Sequence, residues 1–234
     1  MSKQTKTWVI SLGGSVIVPK EIDSFFLHHF KKMLLKLTSS YRFVLVCGGG
    51  AIAREYIEAL QKEGKSEEEQ TAAGIRATRG NALFVMQWFG DYANRSLPKT
   101  MKEVKAALEK NKIVICGALR YRPHTTSDTT AALLAQKLKA PFLNITNVQG
   151  LYTADPRKNP SARLIPSITW KAFEEKAKKQ RYKPGQHFVL DQEAATIIRK
   201  HAIPTYLIAG KNLSAIRDNI KGIHRIGTRI EGEQ

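Results

Sequence analysis

The chain has 234 residues, 42% hydrophobic and 25% charged, with two cysteines. That balance excludes a disordered chain, a collagen-like repeat and a disulfide-stapled scaffold, and it suffices to bury a substantial core. The formal net charge of +18 raises the rate of encounter with polyanions.

The first segment, Met1–Thr7, has no apolar signal core, and no stretch is apolar for long enough to span a bilayer. A cytoplasmic location is expected. Trp8–Leu12 then reads as a buried strand running straight into Gly13-Gly14-Ser15. A helical pattern covers Ile22–Leu37. A second apolar run, Phe43–Cys47, ends on Gly48-Gly49-Gly50 and is followed by a helix over Ala51–Glu63. Glycines at the end of a strand let backbone N–H groups approach a ligand closely. A following helix turns its positive end to the same spot.

Helical periodicity continues over Gly74–Gly90 and Met101–Lys110. Next come a strand at Ile113–Cys116, a helix at Thr129–Leu138 and a strand at Phe142–Thr146. Gly150–Pro156 reads as turn, short strand and turn, and Pro156–Pro166 as loop or hairpin. Helices are expected at Thr169–Lys179, Asp191–His201 and Leu213–Ile220, with strands at Thr205–Ile208 and Gly227–Ile230. Gln180–His187, with Pro184-Gly185, reads as a loop. Strands alternating with helices predict a three-layer αβα sandwich around an open, mostly parallel sheet, with ligands beyond the carboxyl ends of its strands. Cys47 and Cys116 each close an apolar run and are expected as buried thiols. The lysines are spread along the chain, and the densest run, Lys171–Lys183, also holds Glu174 and Glu175. No nucleic-acid motif accompanies them, so specific nucleic-acid binding is not expected.

Neither glycine segment alone is specific, because tight packing also selects glycine. Neither fits the spaced-glycine dinucleotide motif or the P-loop. Together with Thr125–Ala132, Thr146–Pro156 and Val189-Leu190-Asp191, however, they form an ordered set. That set resembles the amino acid kinase superfamily, and within it the archaeal-type uridylate (UMP) kinases, from Val9 to Ile230. The resemblance implies one kinase domain over 1–234, with the acceptor held by 1–140 and ATP by 141–234. It implies transfer of a phosphoryl group from ATP, carried with Mg2+, to UMP. It also implies a homohexamer.

On that resemblance, Gly13, Gly14 and Ser15 face the phosphoryl group in transfer. Gly48, Gly49, Gly50 and Arg54 hold the acceptor's phosphate, with Arg54 suited to a bidentate grip. Thr71, Thr125 and Thr126 lie beside the uridylate. Asp128 and Asp191 organise a lysine, an arginine or a metal-bound water, and no protein metal ligand is expected. Thr146, Asn147, Tyr152, Asp155 and Pro156 meet the ATP, and Lys211 supplies positive charge. Arg54 stands where isopentenyl phosphate kinases typically carry histidine. Departures from the pattern are Ser11 in place of a strand lysine, Ala51 in place of lysine and Thr71 in place of aspartate. Gln149 also replaces aspartate, and Ser127 is one residue extra before Asp128. They gather around the acceptor and catalytic centre. A kinase of the same fold acting on another small phosphate or carboxylate therefore stays open, as does a nucleotide-binding regulatory protein.

Overall fold

The computed structural model describes residues 5–119, 126–156, 158–179 and 190–232. In chain order the elements are β1 (Lys6–Leu12), α1 (Gly14–Ile17), α2 (Ser24–Leu37), β2 (Tyr41–Cys47), α3 (Gly50–Lys62), α4 (Glu67–Phe89) and α5 (Met101–Lys110). Then follow β3 (Ile113–Cys116), α6 (Ser127–Leu138), β4 (Phe142–Thr146), β5 (Leu151–Tyr152), β6 (Leu164–Ile165), β7 (Ser167–Ile168) and α7 (Trp170–Lys178). The chain closes with α8 (Gln192–Lys200), β8 (Thr205–Ala209), α9 (Leu213–Ile220) and β9 (Thr228–Ile230).

Among the described residues, seven strands form one sheet in the order β3-β2-β1-β4-β8-β9-β7. All neighbours are parallel except β8 and β9. β5 and β6 form a separate antiparallel hairpin. Alternating side chains of each strand feed two cores. Ile10, Leu12, Leu45 and Cys47 pack with Phe30, Leu34, Val85 and Ile216 on one face. Val9, Val44, Val46 and Cys116 pack with Val104, Leu134, Phe173 and Ile198 on the other. The two cysteines thus lie on opposite faces as buried thiols, and burial pushes the Cys116 thiol up to about 12.

The sandwich and its parallel sheet agree with the sequence. The boundaries moved where a cap decides. α4 begins seven residues before the expected Gly74, because Ser66 and Glu69 form a capping box and three glutamates occupy the positive first turn. α6 begins at Ser127 rather than Thr129, because Thr126 caps it. The expected Gln180–His187 loop lies outside the described residues, as does part of the Lys171–Lys183 run. Buried Glu174 ties α7 to α8: Arg199 and, at 2.9 Å, Lys178 both reach its carboxylate. Burial works to raise its pKa, but these two cations prevail and hold it at about 2.

The sheet order places the site. β1 has β2 and β3 on one side and β4 and β8 on the other, so chain connections diverge from its two edges. At such a point the carboxyl ends of the strands open a crevice.

Candidate active site

The two glycine segments follow β1 and β2 into this crevice. Both strand ladders extend one residue beyond the strands: the Gly13 N–H donates to the Ile145 carbonyl and the Gly48 N–H to the Leu12 carbonyl, each at 2.9 Å. The expectation that Gly13 lends its N–H to a phosphoryl group is therefore corrected, and the same holds for Gly48 toward an acceptor phosphate. These two glycines are close-packing elements.

Beyond them the turns interlock, backbone against backbone. A Cβ on Gly14 would lie 1.9 Å from the Gly50 nitrogen, and one on Gly48 would lie 2.5 Å from the Gly14 nitrogen. Gly50 has φ +63°, the left-handed region that favours glycine. Asn81 on α4 locks the second turn, its Nδ2 donating to the Gly48 carbonyl at 2.7 Å and the Gly49 carbonyl at 3.1 Å. Among the described residues, the N–H groups of Gly14, Ser15, Gly49 and Gly50 meet no acceptor. Four donors thus lie on two touching turns at the carboxyl ends of β1 and β2.

Arg54 lies one helical turn beyond Gly50. It is half-buried and makes no ion pair or hydrogen bond among the described residues. Lys211 is exposed and follows Gly210, whose N–H donates to the Thr146 carbonyl at 2.8 Å. A Cβ on Gly210 would meet Val16 of α1 at 2.5 Å, so the Lys211 backbone begins beside the first glycine turn. Ser15 is half-buried in that turn. Thr71 is buried on α4, one turn before Gly74, whose carbonyl neighbours Gly49. Thr125 lies outside the described residues.

Ser11 stands where the wider superfamily pattern has a strand lysine. In the structure it is fully buried at the carboxyl end of β1, and its Oγ donates to Asp128 Oδ1 at 2.7 Å. The signal available in the sequence was a lone polar residue within an apolar strand. Burial pushes the Asp128 carboxyl up to about 7, and nearby Asp191 adds to the rise against the Ser11 hydrogen bond.

The sign of that shift yields a prediction. The folded chain holds the Asp128 proton more tightly than the unfolded chain does. Asp128 therefore opposes folding increasingly as the pH climbs from about 4 through 7. Asp128→Asn is expected to lose phosphoryl transfer, yet to melt several degrees higher than the parent at pH 8, with the gap closing near pH 4. Melts at both pH values check this. An equal gap at each would refute the shift.

Asp191 is buried. It caps α8 by accepting from the Ala194 N–H at 2.7 Å. It also accepts from the Thr126 hydroxyl and, at 2.9 Å, from the Thr129 hydroxyl. The Thr129 N–H reaches it at 3.2 Å. Both oxygens thus accept hydrogen bonds from described residues at the starts of α6 and α8. Asp191 fastens the start of α6 to the start of α8, and Thr126 Oγ1 in turn accepts from the Asp128 N–H at 3.0 Å. Asp191 therefore positions Asp128. Among the described residues, no cluster of three or more His, Cys, Asp or Glu side chains stands ready for a metal.

On the β4 and β8 side, Thr146 ends β4 and its hydroxyl points to Asn147 Oδ1 at 3.5 Å. The Tyr152 hydroxyl donates to Gln149 Oε1 at 3.3 Å, leaving the ring half-exposed. The Asp155 carbonyl closes a turn by accepting from Lys158 and Asn159, and Pro156 is exposed within it. The structure thus carries Thr146 and Asn147 to the crevice end of β4. Tyr152, Asp155 and Pro156 lie on or just after the β5 strand of the hairpin.

Known proteins resemble this chain in sequence and fold. The amino acid kinase family matches residues 6–209. The chain belongs to the amino acid kinase family. Among relatives of this family, the uridylate kinase of Pyrococcus abyssi is 36% identical over 224 residues, covering 95% of this chain and 98% of its own. The uridylate kinase of Thermococcus kodakarensis is 35% identical with the same coverage. The uridylate kinase structure from Archaeoglobus fulgidus superposes with a TM-score of 0.82 at 34% identity, covering 95% of this chain and 99% of that one. In the amino acid kinase frame, the crevice between the glycine turns and the end of β4 is the candidate site of transfer.

Proposed function

We propose that the protein is a uridylate kinase that moves the γ-phosphoryl group of ATP to UMP, giving ADP and UDP. The observation that carries the reading is the pair of interlocked glycine turns, with four N–H donors and Arg54 beside them that have no partner among the described residues. Phosphoryl transfer needs donors placed where charge develops on phosphate oxygens, and little covalent chemistry from the protein. Gly49, Gly50 and Arg54 hold the UMP phosphate, with Thr71, Thr125 and Thr126 toward its nucleoside. Gly14 and Ser15 face the group in transfer, and Lys211 adds a cation. Thr146, Asn147, Tyr152, Asp155 and Pro156 receive the ATP, whose Mg2+ enters with it as substrate. Asp128, held by Ser11 and positioned through Asp191, orients the groups around the transferring phosphoryl. In this reading residues 1–140 serve the acceptor and 141–234 serve ATP, within a homohexamer of the cell interior. The archaeal uridylate kinases at 34–36% identity support the acceptor assignment.

The test is a coupled ADP assay with Mg-ATP and a panel of nucleoside monophosphates. UMP is expected to exceed CMP, AMP and GMP by at least roughly tenfold in kcat/KM, since each uridine-specific hydrogen bond discriminates by about 1–3 kcal/mol. ADP release equal for all monophosphates, or absent, would overturn the assignment.

A further inference from the structure

The amino ends of the strands, opposite the glycine turns, enclose a second cavity of about 640 Å³. Lys6 and Tyr41 open β1 and β2 there, while Pro141 and Pro204 directly precede β4 and β8. The seven residues of β1 separate it from Gly13 by about 20 Å. A molecule bound there would not touch the transfer site.

One wall of the cavity is aromatic. Trp8 leans on Tyr206 at 5.7 Å between ring centroids, and Tyr206 stacks on His224 at 4.4 Å with 14° between planes. Asn219 Oδ1 lies 2.8 Å from His224 Nδ1 and fixes that ring. Trp8 is 2% exposed and forms the buried back of this wall.

The charged part of the lining is cationic. Lys6, Lys139 and Lys221 contribute, joined by His201, and among the described residues no aspartate or glutamate lines the cavity. Part of this has an ordinary cause. α6, α8 and α9 end here with Lys139, His201 and Lys221 as their caps, and cations suit the negative ends of helices. Three such ends carry roughly half a negative charge each, which leaves a surplus from the three lysines. Lys6 belongs to no helix; its ammonium lies 5.7 Å from the Trp8 ring centroid. Glu231, which acts on both Tyr206 and His224, is paired with Arg229 at 3.0 Å.

We propose that this cavity is a second binding site, for a free nucleoside phosphate. Its base packs against the His224 end of the Trp8–Tyr206–His224 wall. Its phosphates sit among Lys6, Lys139 and Lys221. The volume suits a ligand of that size. This site is independent of the transfer reaction at the other end of the sheet.

Equilibrium dialysis of the full chain with radiolabelled UMP and with radiolabelled ATP, each alone, tests it. The parent is expected to bind one more equivalent of at least one of these than Lys139→Gln/Lys221→Gln does. Turnover in the absence of excess nucleotide should be the same in both proteins. His224→Ala, which removes the half-exposed end of the aromatic wall, should weaken that extra class at least tenfold. Equal stoichiometry in parent and double variant for both probes would overturn the proposal. So would lysine-dependent binding of a single-stranded oligonucleotide without any mononucleotide class. Because kinase turnover is read separately, failure here leaves the assignment of the transfer site standing, and the reverse.

Discussion

Gly14→Ala is expected to abolish phosphoryl transfer and to lower the melting temperature by roughly ten degrees or more. The new Cβ would sit 1.9 Å from the Gly50 nitrogen and 2.7 Å from the Gly49 carbonyl carbon. Both are backbone atoms, so no rotamer change relieves the overlap. The turns themselves must separate, and with them the ladder bonds that Gly13 and Gly48 make to Ile145 and Leu12. Overpacking of that kind costs on the order of 3 kcal/mol or more, and each kcal/mol shifts the melting point of a domain this size by about 2–4 °C. Gly80→Ala supplies the control. Gly80 lies exposed within α4 with open space around its Cα, so alanine should stabilise by about 0.5–1 kcal/mol. Thermal melts of the two variants side by side decide the matter. A Gly14→Ala protein that melts like the parent would show that the turns do not interlock.

Arg54→Ala is expected to raise the KM for UMP by roughly 30- to 150-fold while changing the KM for ATP less than about threefold. The guanidinium has no partner of its own among the described residues, so its removal strands no other side chain. Any loss then belongs to the acceptor's phosphate. A charge-assisted contact of this kind contributes about 2–3 kcal/mol, and each 1.4 kcal/mol is tenfold. Arg54→Lys should recover only part of it, because an ammonium cannot reproduce a two-pronged grip. Steady-state kinetics with each substrate varied in turn separates the two KM values. Equal losses for ATP and UMP would refute this role of Arg54, and a loss confined to ATP would mean that the acceptor and ATP ends are exchanged.

The sequence made the architecture readable because its apolar runs stop at glycines and its helical patterns fall between them. It did not reveal where α4 starts: Glu67-Glu68-Glu69 looks like linker until Ser66 is recognised as a cap. Of the site, the glycine segments and Arg54 were legible as chemistry that handles phosphate. Ser11 was not, because a hydroxyl in a strand signals nothing until β1 places it against α6, a contact 117 residues long-range in the chain. Asp191 was visible as a helix cap. That the same carboxylate also binds Thr126 and Thr129 depends on how α6 and α8 pack, which no local pattern encodes.

The shared backbone of the two glycine turns also limits how such an enzyme can diversify. On the proposed assignment one turn holds the acceptor's phosphate and the other the group in flight, and neither can shift without pushing its neighbour. The distance between the attacking and departing oxygens is thereby fixed by main chain, whatever side chains surround it. A lineage that adopts a new acceptor must change what surrounds the nucleoside, at positions such as Thr71 and Thr126, and leave the phosphate gauge alone.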